Sequence, residues 1–371
     1  MASEMLYPIL PIYLQSIGFS VLLIGVLEGI AEALAGLSKG YFGKLSDNSG
    51  KRVPFVQLGY TLSALSKPLM VVFILPVWIF MLRSLDRLGK GIRTGARDAI
   101  LSEEATPKTK GKVFGFHRAM DTFGAVLGPT LALIYLYFYP ENYKTLFYLA
   151  AIPGLLAIIA TFYLKDKRSS PKVKIASTSL FSFLGYWKSS PIIYKKVVLG
   201  LLIFALVNSS DVFLLLKAKE AGLEDPIIIG LYIFYNLIYS IFAFPLGVLA
   251  DKIGLRIIFI IGLLLFSSVY FGITNEIDLT NFFILFFLYG IFAAATEGVS
   301  KAWISNIVLK GDTATAIGTY SGFQSICALL ASGWTGFVWF YYGSSTAFLI
   351  TGLITIIVIF YFIIAIPEKN N

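Results

Sequence analysis

Charge is scarce in this sequence: 14% of its 371 residues are Asp, Glu, Lys or Arg, where a soluble domain carries about 25%. A single cysteine, Cys327, permits no internal disulfide, and a single histidine, His117, leaves no His/Cys cluster for zinc or haem. No metal site and no cofactor are expected. The phosphate-cradling pattern G-x-x-x-x-G-K-[ST] is missing, so ATP drive within this chain is not expected either. The opening residues, MASEMLYP, lack the basic stretch that begins a cleavable signal peptide.

What is present is apolar. Hydrophobic residues make up 57% of the chain, gathered into runs of roughly 20, each long enough to cross a ~30 Å hydrocarbon core. A soluble enzyme, a nucleic-acid-binding module and a disordered scaffold are thereby excluded. The runs predict an all-α polytopic membrane protein with spans at 1–16, 20–45, 55–74, 77–97, 113–138 and 146–164, then 197–217, 226–250, 257–274, 282–307, 314–340 and 346–366. Helices are required because backbone groups in lipid must bond within their own segment, and the alternation of a barrel strand is absent. The first span is short at ~1.5 Å per residue. A start upstream of Met1 is favoured over a helix that begins mid-membrane.

Loop charge sets the orientation. With both termini cytoplasmic, the inner loops and tail hold 17 Lys and Arg, eight of them between 165 and 196, while the outer side holds only Lys144, Lys217 and Lys219. The formal charge of +9 is therefore topological, and no nucleic-acid partner is expected. Within the basic linker, SLFSFLGYWK at 179–188 suits either an interfacial segment or a plain connector.

The chain repeats itself. GKLSDNSGKR at 43–52 returns as GVLADKIGLR at 247–256, an offset of 204 that aligns Gly43, Asp47, Gly50 and Arg52 with Gly247, Asp251, Gly254 and Arg256, and Arg97 with Lys301. Duplicated halves joined by a linker are a secondary-transporter plan. Three parts follow: six helices over 1–164, a basic cytoplasmic linker over 165–196, and six helices over 197–371. The twice-occurring G-x-L-x-D-x-x-G-x-[KR] element resembles the signature loop of the major facilitator superfamily. With it, DRLGKGIRTGARDA, FGFHRAMDTFGAVLGP and TEGVSKAW resemble a prokaryotic, largely uncharacterised permease branch of that superfamily.

The resemblance implies twelve transmembrane helices in two pseudo-symmetric six-helix bundles, here with a shortened first helix. It also implies alternating access, and a gate in which the loop aspartate meets a helix N-terminus of the other half. Carried onto this chain, the gate residues are Gly43, Asp47, Gly50, Arg52, Arg97, Asp251 and Arg256, with Asp47 expected near Ala314 at the start of span 11. The family plan further puts the first, fourth, seventh and tenth helices around the substrate cavity.

Span 4 carries the strongest chemical signal. Arg83, Asp86, Arg87, Lys90, Arg93 and Arg97 fall within about 120° of one helical face. Each charge would cost roughly 2.5–3.5 kcal/mol at the centre of a lipid-facing helix, so this face lines water or pairs with other spans. Arg83, Arg87 and Lys90 are the candidates for an anionic substrate. Asp211, Tyr232, Tyr235, Asn236 and Tyr239 on spans 7 and 8 are candidates for its remainder, with lipid-facing packing an equal alternative for the tyrosines. Proton coupling needs a carboxylate whose surroundings change its proton affinity. Glu28, Glu32, Asp86, Asp121 and Glu297 are the candidates, with Asp211 beside them, although the basic neighbours of Asp86 favour a salt bridge there. Gly124, Gly128 and Pro129 partly match an element of proton-driven antiporters, against a packing role for the small residues.

The expected function is secondary transport of a small amphipathic organic anion or drug-like molecule through the cytoplasmic membrane. The expected carrier is a proton-coupled monomer, with efflux favoured over uptake symport or facilitation. The competing class is a membrane-embedded lipid-modifying enzyme. It would need acids or histidines gathered at one membrane face, whereas these charges run the depth of span 4.

Overall fold

The computed structural model describes residues 1–7, 9–166, 185–274 and 278–366. About 85% of the described residues are helical, and no strand occurs among them. The helices are α1 (Ala2–Leu6), α2 (Ile9–Ser16), α3 (Val21–Ser49), α4 (Val53–Met70), α5 (Pro76–Glu104), α6 (Lys110–Phe138), α7 (Tyr143–Thr161), α8 (Gly185–Ser189), α9 (Ile192–Ala205), α10 (Val212–Glu220), α11 (Asp225–Ile253), α12 (Leu255–Gly272), α13 (Leu279–Asn306), α14 (Thr313–Tyr342) and α15 (Ser344–Ala365). This is the twelve-span order, with α1 and α2 forming span 1, and α9 and α10 forming span 7. Among the described residues, seven helices are long and apolar enough to cross a membrane by length and composition. The charged face of α5 keeps that helix out of the set.

Two spans depart from the expected continuous helices. Span 7 stops at Ala205 and resumes at Val212. Asn208, Ser209, Ser210 and Asp211 lie in this gap, where short polar side chains compete for backbone groups. The Ser210 hydroxyl accepts the Val212 N–H, and the Ser332 hydroxyl accepts the Ser210 N–H. Span 1 is likewise two short helices.

By internal contacts the chain forms two compact units. The first comprises Met1–Ile100, Phe123–Ser189 and Leu309–Gly322; the second comprises Leu101–Thr122, Ser190–Val308 and Phe323–Asn371. Compactness therefore does not follow the repeat: the segment opening α6 belongs with the later helices, and the one opening α14 with the earlier ones. In the first unit Leu14, Leu27, Ile79, Leu146 and Phe147 sit in one core, each at most 2% exposed. In the second, Phe204, Phe266, Tyr270, Phe292 and Phe348 interlock with ring centroids 4.1–6.0 Å apart, the spacing aromatic pairs prefer. The outward face of α15 carries exposed Leu353, Ile357, Phe360 and Ile364, as a lipid-facing helix should.

Phe181 and Phe183 of the suggested interfacial segment lie outside the described residues. Its end forms α8, where Tyr186 is half-buried. Burial, with the negative charges of Asp312 and Asp47, pushes the Tyr186 phenol well above its ordinary pKa.

Candidate functional site

In the first unit, α3, α4 and α5 bring seven of their charged side chains together. Arg83 presents its fork to Glu28: Nε donates to Oε1 at 2.8 Å and a terminal nitrogen donates to Oε2 at 2.7 Å. Its other terminal nitrogen donates to Asp86 at 3.1 Å. Asp86 is also held by Lys67 at 2.8 Å and by the Ser63 hydroxyl. The two carboxylates on Arg83 thus differ in freedom: the Asp86 side chain is 4% exposed and has three donors, while Glu28 is 32% exposed.

Arg87 lies 3.8 Å from Glu28 and 3.7 Å from Glu32, too far for good hydrogen bonds. Its buried Nε has no acceptor among the described residues. Lys90 is half-buried and forms no ion pair among the described residues. Four cations, Lys67, Arg83, Arg87 and Lys90, therefore share three carboxylates, Glu28, Glu32 and Asp86, and leave a surplus positive charge at Arg87 and Lys90. Of the remaining span-4 charges, Arg93 stacks 4.4 Å over the Tyr60 ring and Arg97 donates to its neighbour Asp98 at 3.0 Å. The predicted single charged face is thus shared out among different partners along α5.

In the second unit the break in span 7 presents Asp211 to two phenols. Tyr289 donates to one carboxylate oxygen at 2.6 Å and Tyr235 donates to the other. Asn236 turns to the Tyr232 carbonyl of its own helix at 2.9 Å. Tyr239 lies under Arg118, whose guanidinium carbon is 5.9 Å from the ring centroid. Arg118 also joins two proposed coupling residues, donating to Glu297 at 2.5 Å and Asp121 at 3.1 Å.

The repeated loops place their aspartates alike. Asp47 accepts the backbone N–H and the hydroxyl of Thr315 at the start of α14, both at 2.6 Å, and pairs with Arg52 at 2.7 Å. Asp251 accepts the backbone N–H groups of Gly111 and Lys112 at the start of α6, both at 2.7 Å. Helix N-termini favour negative charge in this way. The offset of 204 that relates Asp47 to Asp251 also relates Gly111 to Thr315. Gly43 and Gly247 serve the same approach, since a Cβ on either would overlap the backbone carbonyl of Ala314 or Gly111. Gly50 ends α3 at φ +66°, a conformation glycine adopts freely. The arginines differ: Arg256 donates to the Phe362 and Ile363 carbonyls near the end of α15.

Several participants lie outside the residues singled out from sequence. Arg118 sits inside the quoted FGFHRAMD stretch, and Thr315 and Gly111 are one 204-residue step apart. Lys67 stands out as the lone charge of span 3. Tyr289 and Ser63 carry no local signal.

The family model of the major facilitator superfamily matches residues 1–235 and 218–371. The chain belongs to this superfamily. It is 36% identical over 371 residues to an MFS-type transporter of Methanocaldococcus jannaschii, a match covering 96% of this chain and 91% of that one. A Mycobacterium bovis protein is 29% identical over 160 residues, 43% of this chain and 39% of its own. Among solved structures, the human organic anion transporter MFSD10 superposes with a TM-score of 0.81 at 16% identity, covering 97% of this chain and 95% of that one. The Escherichia coli fucose:proton symporter FucP gives 0.80 at 14% identity, covering 99% and 95%. At such identities the likeness to the solved structures is one of fold.

Proposed function

We propose that this superfamily member is a proton-coupled secondary transporter of a small amphipathic organic anion, working by alternating access in the cell membrane with both termini cytoplasmic, as a monomer. The observation that carries this reading is the Arg83 fork, filled by Glu28, a part-exposed carboxylate held on α5 by arginines alone. A substrate carboxylate, drawn by the surplus charge at Arg87 and Lys90, competes with Glu28 for Arg83. Once displaced, Glu28 faces another negative charge without its arginine, an arrangement that taking up a proton would relieve. Anion and proton then bind together. Asp86, fixed by Lys67, Arg83 and Ser63, stays in place and orients the arginine.

Binding both species together favours movement in one direction, hence uptake symport. The element that points to efflux has a packing role available, because a Cβ at Gly124 or Gly128 would press on the backbone of Met1 or Met5. Of the other coupling candidates, Glu32 borders the same cluster, while Asp121 and Glu297 share Arg118. In this account the Asp47–Thr315 and Asp251–Gly111 contacts are the gate, made and broken during the cycle. Of the structural relatives, one is an organic anion transporter and another a proton symporter, the two species invoked here.

The test is uptake and binding of a panel of radiolabelled aromatic and aliphatic carboxylates by the purified chain. Arg83→Lys keeps the charge and loses the fork. It should weaken binding of the carboxylate that is transported by tenfold or more, and unchanged binding would overturn the anion reading.

A further inference from the structure

Asp211 is a carboxyl group with no basic side chain paired to it among the described residues. Its two oxygens are engaged by the phenol hydroxyls of Tyr235 and Tyr289. A carboxylate removed from water without an opposite charge is costly, and two hydroxyls supply hydrogen bonds but no charge. About four lone-pair sites belong to such a group, so roughly two remain unused.

The surroundings are rings. Tyr235 stands edge-on to Tyr232 and to Tyr289, with centroids 5.4 Å apart in each case, and Phe286 is 6.2 Å from Tyr235. Tyr235 and Tyr289 are buried, whereas Asp211 and Tyr232 are half-buried. The half-buried carboxyl group therefore sits beside a cluster of rings, where the helix of span 7 is broken.

We propose that Asp211, with the Tyr232, Tyr235 and Tyr289 rings, binds an organic ammonium group, on a substrate or on an inhibitor. The carboxylate supplies the opposite charge, and the ring faces attract a cation whose alkyl groups they also cover. A divalent metal suits the site less, because it takes roughly six to eight oxygen ligands and the carboxylate here stands with two phenols. This assignment goes beyond the transporter reading and does not depend on the anion cluster of the first unit.

The test is equilibrium binding of radiolabelled benzyltrimethylammonium to the purified full-length chain, with its uncharged carbon isostere neopentylbenzene as the control. The ammonium probe should bind at least tenfold more tightly than the isostere. Asp211→Asn should abolish that difference, and Tyr232→Leu should weaken the ammonium probe severalfold while sparing the isostere. Equal binding of both probes by the wild-type chain would overturn the proposal without reference to any variant. So would a wild-type chain that binds sodium ions at this aspartate and ignores the ammonium probe. Because anion uptake plays no part in these readings, failure here and failure of the anion proposal are separable.

Discussion

Asp47 accepts both the backbone N–H and the hydroxyl of Thr315, each at 2.6 Å, and so joins the end of α3 to the first turn of α14. Its repeat partner Asp251 makes the same kind of contact with the first turn of α6, through two backbone N–H groups and, among the described residues, without a hydroxyl or an arginine. The pair is alike in topology and different in partners.

Asp47→Asn should therefore slow transport at least tenfold while changing substrate affinity less than twofold, and Asp251→Asn should slow it less. Uptake rates and equilibrium binding on the same preparations check this. Lost binding in Asp47→Asn would place the residue in the substrate site instead of the gate.

Lys67 is 2% exposed and forms a buried pair with Asp86 at 2.8 Å. Removing Lys67 leaves buried Asp86 with Arg83 and the Ser63 hydroxyl, so the loss stays below the roughly 3–5 kcal/mol of a fully unpaired buried charge. Lys67→Met should lower the melting temperature markedly, and adding Asp86→Leu should recover part of the loss. A double variant no more stable than Lys67→Met would contradict the pairing. The cycle gives the coupling between the two sites directly.

Gly247 faces the Gly111 carbonyl so closely that a methyl group would overlap it. Gly247→Ala should destabilise the contact between α11 and α6, with reduced transport and earlier unfolding on heating. Gly185, with nothing within 4 Å of an added Cβ, is the control position, and Gly185→Ala should leave both readouts within error.

The helices and their order were legible because lipid forces long apolar runs, and the two aspartate-to-helix contacts because their loops repeat with the same spacing. The break in span 7 was less so: a hydropathy pattern reads through Asn208–Asp211 as one span, since four small polar residues barely dent its average. The site itself was half visible. Six charges on one face of α5 announce that they cannot meet lipid, but not which partner each will find. Arg83 falls among the substrate candidates and Arg97 among the gate residues, yet nothing local shows that one meets Glu28 on α3 and the other its neighbour Asp98. Such pairings depend on tertiary placement, as does the convergence of Tyr235 and Tyr289 on Asp211 from two helices 24 and 78 residues away.

Glu28 decides the account. In liposomes holding a pH-sensitive dye, an imposed gradient of a transported carboxylate should carry protons inward with the anion in the wild-type protein. Glu28→Gln cannot take the proton and leaves Arg83 more open to the substrate. It should bind the anion as tightly or more tightly, move it down its gradient, and carry no protons. If the wild-type protein moves labelled anion without any proton signal, or if Glu28→Gln still carries one proton for each anion, exchange on Arg83 is not how this transporter is coupled.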